Sequence, residues 1–175
     1  MLFRSGKTVI LADRAAYDKN AGTILFTGRV QLAHEGIEVT AQELLYHRDS
    51  KEGTFHGGVR LTREGEKDEG GKSTKDAFTL TCAEMDFAAE KKSFTARGQA
   101  VLEHKEFSAT AGEIGYDDEH QELLLKQEPT LKREDETIEA EEIVIAVEED
   151  TFKILKAEIT FTVEEIGRAS CRERV

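Results

Sequence analysis

The sequence predicts an all-β protein, a linear array of about five repeated two-strand units that stays open at both ends. Three observations predict it. Apolar and polar residues alternate, as in Ile37-Glu38-Val39-Thr40-Ala41 and Phe55-His56-Gly57-Gly58-Val59-Arg60-Leu61, which turns one face to a core and one to water. The alternating segments are rich in Thr, Val, Ile, Phe and Tyr, residues that fit a pleated, half-buried surface. The pattern also recurs at a fixed spacing, the mark of a repeat architecture.

The repeat has two anchors. A ring position reads Tyr17, Tyr46, Phe87, Tyr116 and Ile145, and a turn-strand position reads Gly28, Gly57, Gly98, Gln127 and Lys156. Neighbouring copies lie 29 residues apart, except that Tyr46 to Phe87 is 41, or 29 plus a 12-residue insertion. Within a unit, Asp18 to Gly22, Asp49 to Gly53, Ala89 to Lys92 and Asp117 to His120 read as hairpin loops. The step from Ala41 to Leu44 and Tyr46 shifts the inward phase by one residue. A β-bulge that bends the strand would do this. Ala83 to Glu90 has some helical character, but the same columns in the other copies are strand-like.

The insertion has no strand pattern. Residues 64–76, Glu64 to Asp76, contain no apolar residue and are expected as a mobile surface loop. Its Gly71-Lys72-Ser73 lacks the preceding glycine and the strand-to-helix setting of a phosphate-binding loop. Residues 1–7 are expected as a disordered or non-native start. They carry no apolar stretch of the kind a signal peptide has. Residues 8–163 are expected as one domain. Residues 164–175 break the pattern with Arg168, Arg172 and Arg174 against Glu173 and are expected as a tail outside the fold; a native basic tail is the alternative.

Composition excludes several functions. The chain has 175 residues, 38% hydrophobic and 34% charged, with a net charge of -12. Nucleic acid is not an expected partner, because backbone binding needs clustered Lys and Arg. No run of about 18 apolar residues exists to span a membrane as a helix. Neither Gly-x-Ser-x-Gly nor His-Glu-x-x-His occurs. His47 and His56 flank one hairpin loop and could meet across it, but exposed strand histidines are the plainer reading. Glu139, Glu141, Glu142, Glu148, Glu149 and Asp150 read as a solvated face. Cys82 lies in an apolar alternation and reads as a small core residue; neither it nor Cys171 has zinc spacing. No enzyme, no cofactor and no metal are expected.

The inward set is Phe26, Val30, Leu32, Val39, Leu44, Phe55, Val59, Leu61, Leu80, Phe94, Leu102, Ile114, Leu123, Leu125, Leu131, Ile138 and Ile143. It reads either as core or as the lining of a lipid-binding groove. Small residues at Ala12, Ala41, Ala96, Gly98, Ala109, Ala111 and Ala140 suit both a thin sandwich and a ligand cavity. Thr8 to Ala12 and Phe152 to Val163 are strong strand formers at the two ends. As open edges they would pair with other chains.

The repeated Ala-(x)4-Tyr-Asp and Gly-x-Val-x-Leu pattern resembles the OstA-like LptA/LptC domain of bacterial lipopolysaccharide transport. It is carried by Ala12-Asp13-Arg14-Ala15-Ala16-Tyr17-Asp18, Gly28-Arg29-Val30-Gln31-Leu32, Ala41-Gln42-Glu43-Leu44-Leu45-Tyr46, Gly57-Gly58-Val59-Arg60-Leu61 and Ala111-Gly112-Glu113-Ile114-Gly115-Tyr116-Asp117. The sole proline, in Gln127-Glu128-Pro129-Thr130-Leu131, is similar to the family's late Gly-x-Pro-x-Leu variant, with Gln127 in place of Gly. The resemblance implies an open twisted β-jellyroll in the periplasm. It implies lipopolysaccharide acyl chains bound in the groove, and head-to-tail pairing with itself or other Lpt bridge components toward the outer membrane. Within the family the soluble bridge is the expected type, because hairpin units continue to Phe161; the membrane-anchored adaptor is the alternative. The reading outside the family is a structural β-repeat scaffold or adhesin-like protein with a dry core.

Overall fold

The computed structural model describes residues 2–5, 7–71, 73–75, 77–146, 151–155 and 158–161. Among the described residues there is no helix. The strands are β1 (Leu2–Ser5), β2 (Thr8–Leu11), β3 (Arg14–Asp18), β4 (Thr23–His34), β5 (Ile37–His47), β6 (Glu52–Arg63), β7 (Glu66–Lys67), β8 (Ser73–Lys75), β9 (Phe78–Ala88), β10 (Ser93–His104), β11 (Ser108–Asp117), β12 (Glu122–Lys126), β13 (Thr130–Arg133), β14 (Glu136–Glu139), β15 (Glu142–Ala146), β16 (Thr151–Leu155) and β17 (Glu158–Phe161). All but β7 and β8 join one antiparallel sheet.

The long strands of that sheet are bent in the middle. Pairing slips between Thr27 and Val30, between Thr40 and Glu43, between His56 and Val59, and between Arg97 and Ala100. At the bends, pairs of residues take the left-handed conformation: Gly28 and Arg29, Gly57 and Gly58, Gly98 and Gln99. In the fourth copy Gln127 and Glu128 take it without glycine. There Pro129, which has no N–H to offer a ladder, separates β12 from β13. Gly98 shows why the column favours glycine. Its φ is +78°, and a Cβ would stand 2.7 Å from that of Ala83.

Each bent strand therefore serves two layers. The first layer runs β1, β2, the second half of β4, the first half of β5, then onward through β6, β9, β10 and β11 to β13, β14 and β17. The second layer starts at β3, uses the other halves of the same strands, and ends in β12, β15 and β16. The bends form one closed side. The described turns that join the bent strands, such as those at Glu35 and Lys92, lie on the opposite, open side.

Register fixes what faces inward. Ile10, Leu32, Val39, Leu61, Leu80, Leu102, Ala109, Leu131 and Ile138 form one row across the first layer. The repeat's ring position forms a row across the second: Tyr17, Ile24, Tyr46, Gly53, Phe87, Phe94, Tyr116, Leu123 and Ile145. Gly53 belongs there because Phe87 leans over it. A Cβ on Gly53 would meet the Phe87 ring at 2.6 Å, and that ring stacks on Tyr46 at 6.3 Å. Near the bends the layers converge, and the buried residues there are small: Ala12, Ala41, Cys82, Ala100 and Ala111. Asp18 and Asp117 side chains accept backbone N–H bonds that close two of the turns.

Four expectations need correction. The start of the chain is not outside the fold, since Leu2–Ser5 pairs with β2 along its whole length. For the same reason Thr8 to Ala12 is not the edge; β1 covers it. The insertion is not wholly a loop, since Glu66–Lys67 and Ser73–Lys75 make a small separate hairpin, which backbone hydrogen bonds can form without apolar side chains. Gly98 does not face inward but is exposed at the bend. The expected tail, 164–175, lies outside the described residues.

Candidate functional site

All seventeen residues of the predicted inward set are buried. Five of them, Leu32, Val39, Phe55, Leu61 and Phe94, line a cleft of about 280 Å³ between the layers. The other twelve pack in the core and do not line it. The cleft lies toward the open side, where the layers have diverged from the bends. Its first-layer wall also holds Thr8, His34, Ile37, Arg63 and Glu64. Its second-layer wall adds Met85, Phe87, Ala88, Ala89, Lys92, Ser93 and Asp118. The floor is apolar and the rim is polar, the usual make-up of a small-ligand cleft.

Two contacts tie the rims together. Glu35, in the turn between β4 and β5, accepts from Lys7 Nζ at 2.8 Å and lies 3.3 Å from Lys92 Nζ. Lys92 belongs to the turn between β9 and β10, on the other layer. Hydrogen bonds from Lys7 and then Lys92 hold the Glu35 carboxyl down at about 2. His34 stands beside the pair, with Nε2 3.8 Å from Glu35 and Nδ1 2.8 Å from the Thr8 hydroxyl.

The second tie is buried. Arg63, only 5% exposed, donates from Nη1 to the Tyr116 hydroxyl at 3.0 Å. Its guanidinium also lies 5.6 Å from the ring centres of Phe78 and Tyr116, a cation–π setting that offsets part of the desolvation. Tyr116 donates in turn to Asp118 at 2.8 Å. Burial first, and then this bond to Asp118, pushes the Tyr116 hydroxyl pKa upward. Phe78 of the first layer and Phe94 and Tyr116 of the second fill the space around Arg63. The cleft therefore lies on the N-terminal side of a cationic and aromatic plug.

The other sequence candidates are not brought together. His47 pairs in register with Glu52 and His56 with Glu43, so the two histidines do not meet across the hairpin. His56 instead lies 3.1 Å from Glu84. Cys82 is buried and free, and burial pushes its thiol up to about 11. The cleft residues missed from sequence divide into two kinds. Arg63, Ile37 and Met85 lie on the inward phase of their strands, so the alternation itself could have found them. Lys7, Glu35 and Lys92 come from three separate turns and have no local signal.

Comparison with known proteins gives a family and a likeness to solved structures. The family described as LptA/(LptD N-terminal domain) LPS transport protein matches residues 9–151. No curated protein matches the chain. Among solved structures the chain is similar to the crystal structure of LptH, the LptA homologous periplasmic component of the conserved lipopolysaccharide transport device from Pseudomonas aeruginosa. That likeness has a TM-score of 0.39 and 13% identity, and covers 96% of this chain and 93% of the other.

Proposed function

The chain belongs to the LptA/LptD N-terminal-domain family of LPS transport proteins, and from that premise we propose that it is a non-enzymatic periplasmic carrier that holds lipopolysaccharide acyl chains between its two β-layers. The observation that carries this reading is the apolar cleft between the layers, which a scaffold with a dry core would not need. Its volume is near the lower end of the ~300–1,000 Å³ typical of small-ligand sites. That is room for one chain at a time rather than for a whole lipid A. Burying a chain of about a dozen carbons yields ~10 kcal/mol gross at ~0.8 kcal/mol per CH₂. Partial cover of a multi-chain lipid keeps binding reversible, as a carrier requires.

Passage along a bridge would use the edges. One end of the array presents β1 and β3, the other β16 and β17. Head-to-tail pairing of those edges, with another copy or with another Lpt component, would set the layers of successive molecules in line.

The test is binding of fluorescent lipopolysaccharide to two variants. Ile37→Asp places a charge on a half-buried wall of the cleft and is expected to leave the fold intact while cutting uptake at least tenfold. Leu102→Asp places it in the packed core and is expected to unfold the domain, by several kcal/mol. Undiminished uptake by a folded Ile37→Asp protein would reject the cleft as the lipid site.

A further inference from the structure

The ammonium groups of Lys7 and Lys92 converge on one carboxylate. Lys7 reaches Glu35 Oε1 at 2.8 Å and Lys92 reaches Oε2 at 3.3 Å. Two cations from opposite rims, spaced to grip the two oxygens of one acid, make an anion site that the protein fills with its own side chain. The site stands directly over the apolar floor, since Lys7, Glu35 and Lys92 line the same cleft as Leu32, Val39 and Phe55.

The surrounding charges leave that role to the lysines. His34 faces Glu35 from β4. Arg63 is engaged by Tyr116, and Asp118 by the Tyr116 hydroxyl. Glu64 also lines the cleft, but as a carboxylate it offers an anionic head no attraction. We propose that Lys7 and Lys92 form a docking subsite for the anionic head, carboxylate or phosphate, of an amphiphile whose tail lies in the cleft, and that Glu35 is the internal occupant this head displaces. The inference rests on the carrier reading for its tail, and adds a head-group site and a selection rule.

The exchange is nearly balanced. Lys7 is 77% and Lys92 51% exposed in their side chains, so the internal pairs are weak and salt-screened. An incoming phosphate or carboxylate restores the same hydrogen bonds, and Glu35 regains water. Tail burial then drives the exchange. The Glu35 tie is released only by a ligand that brings both an anion and a tail, while the Arg63–Tyr116 tie stays in place. A neutral amphiphile of equal length has nothing to offer the lysines, and free phosphate has no tail to hold it.

The experiment uses displacement of dansylaminoundecanoate fluorescence from the full chain. The competitors are dodecanoate, dodecyl phosphate, dodecanol and inorganic phosphate. Far-UV circular dichroism and urea midpoints confirm that each variant is folded. Dodecanoate and dodecyl phosphate should displace the probe well below the concentration of dodecanol, while inorganic phosphate should fail. Lys7→Gln with Lys92→Gln should weaken dodecanoate about tenfold and leave dodecanol unchanged. Glu35→Gln, which removes the competing charge, should strengthen dodecanoate several-fold. Equal binding of dodecanoate and dodecanol in all proteins would overturn the head-group site and leave the carrier reading intact. Displacement by inorganic phosphate at the same concentration as dodecyl phosphate would show a free-anion site and overturn the amphiphile assignment. Failure of every tailed competitor would reject the carrier reading, and the subsite with it.

Discussion

Arg63 and Tyr116 show what a buried polar pair does in a thin two-layer protein. Both side chains are almost wholly covered, and their hydrogen bond joins the last inward position of β6 to the last of β11. Tyr116→Phe keeps the ring and its packing but leaves the guanidinium without that acceptor. It is expected to cost about 1–3 kcal/mol, read as a lower urea midpoint at unchanged m-value. An unchanged midpoint would mean that the two ring faces alone suffice for Arg63. The residue was within reach of the sequence, because it continues the phase of Phe55, Val59 and Leu61. Counting only apolar residues as inward hid it. The Lys7–Glu35–Lys92 group was beyond reach. Each member lies in a polar turn, and only the closeness of two rims brings residues so far apart in sequence together.

The bent strand is the unit from which everything else follows. Its bend was legible, because a slip of inward phase from Ala41 to Leu44 requires one extra residue. The glycine column was legible for the same reason: left-handed residues recur where the repeat has Gly28, Gly57 and Gly98. The column also yields a paired prediction. Gly98→Ala meets both an unfavourable φ and the Ala83 methyl at 2.7 Å, whereas Gly58→Ala has an unfavourable φ of +61° but open space around it. Gly58→Ala should cost about 1 kcal/mol and Gly98→Ala about 2–4, measured by chemical denaturation. Equal costs would show that the bend yields and that the close contact is not limiting. β1 and the β7–β8 hairpin were not legible. β1 belongs to no copy of the repeat, and β7–β8 is built from backbone bonds among charged and hydroxyl residues, which leave no periodic trace.

At the scale of the whole molecule the ends matter most. β3 is the outermost strand of the second layer, and its Tyr17 is 54% exposed although it occupies the inward row. It is the ring of the first repeat copy with no preceding copy to cover it. If successive molecules stack through this end, a neighbour's last strand would cover Tyr17 as β5 covers Ile24. Tyr17→Lys is then expected to weaken concentration-dependent association, seen by light scattering, without changing monomer stability by more than ~0.5 kcal/mol. Strictly monomeric behaviour of the unaltered protein at high concentration would reject assembly through these edges. The array and its two open ends were legible from the spacing of Tyr17, Tyr46, Phe87 and Tyr116. Which strand stands outermost was not, because β1 lies outside the repeat.

The offset between copies has one more consequence. Every copy adds a pair of strands, one rung to each layer for each strand, and strands lie ~4.8 Å apart. Duplicating or deleting 29 residues would thus change the span by roughly 10 Å while the cross-section stayed the same. The protein is built as a ruler whose length is set by the number of copies, while ties such as Arg63–Tyr116 belong to particular copies.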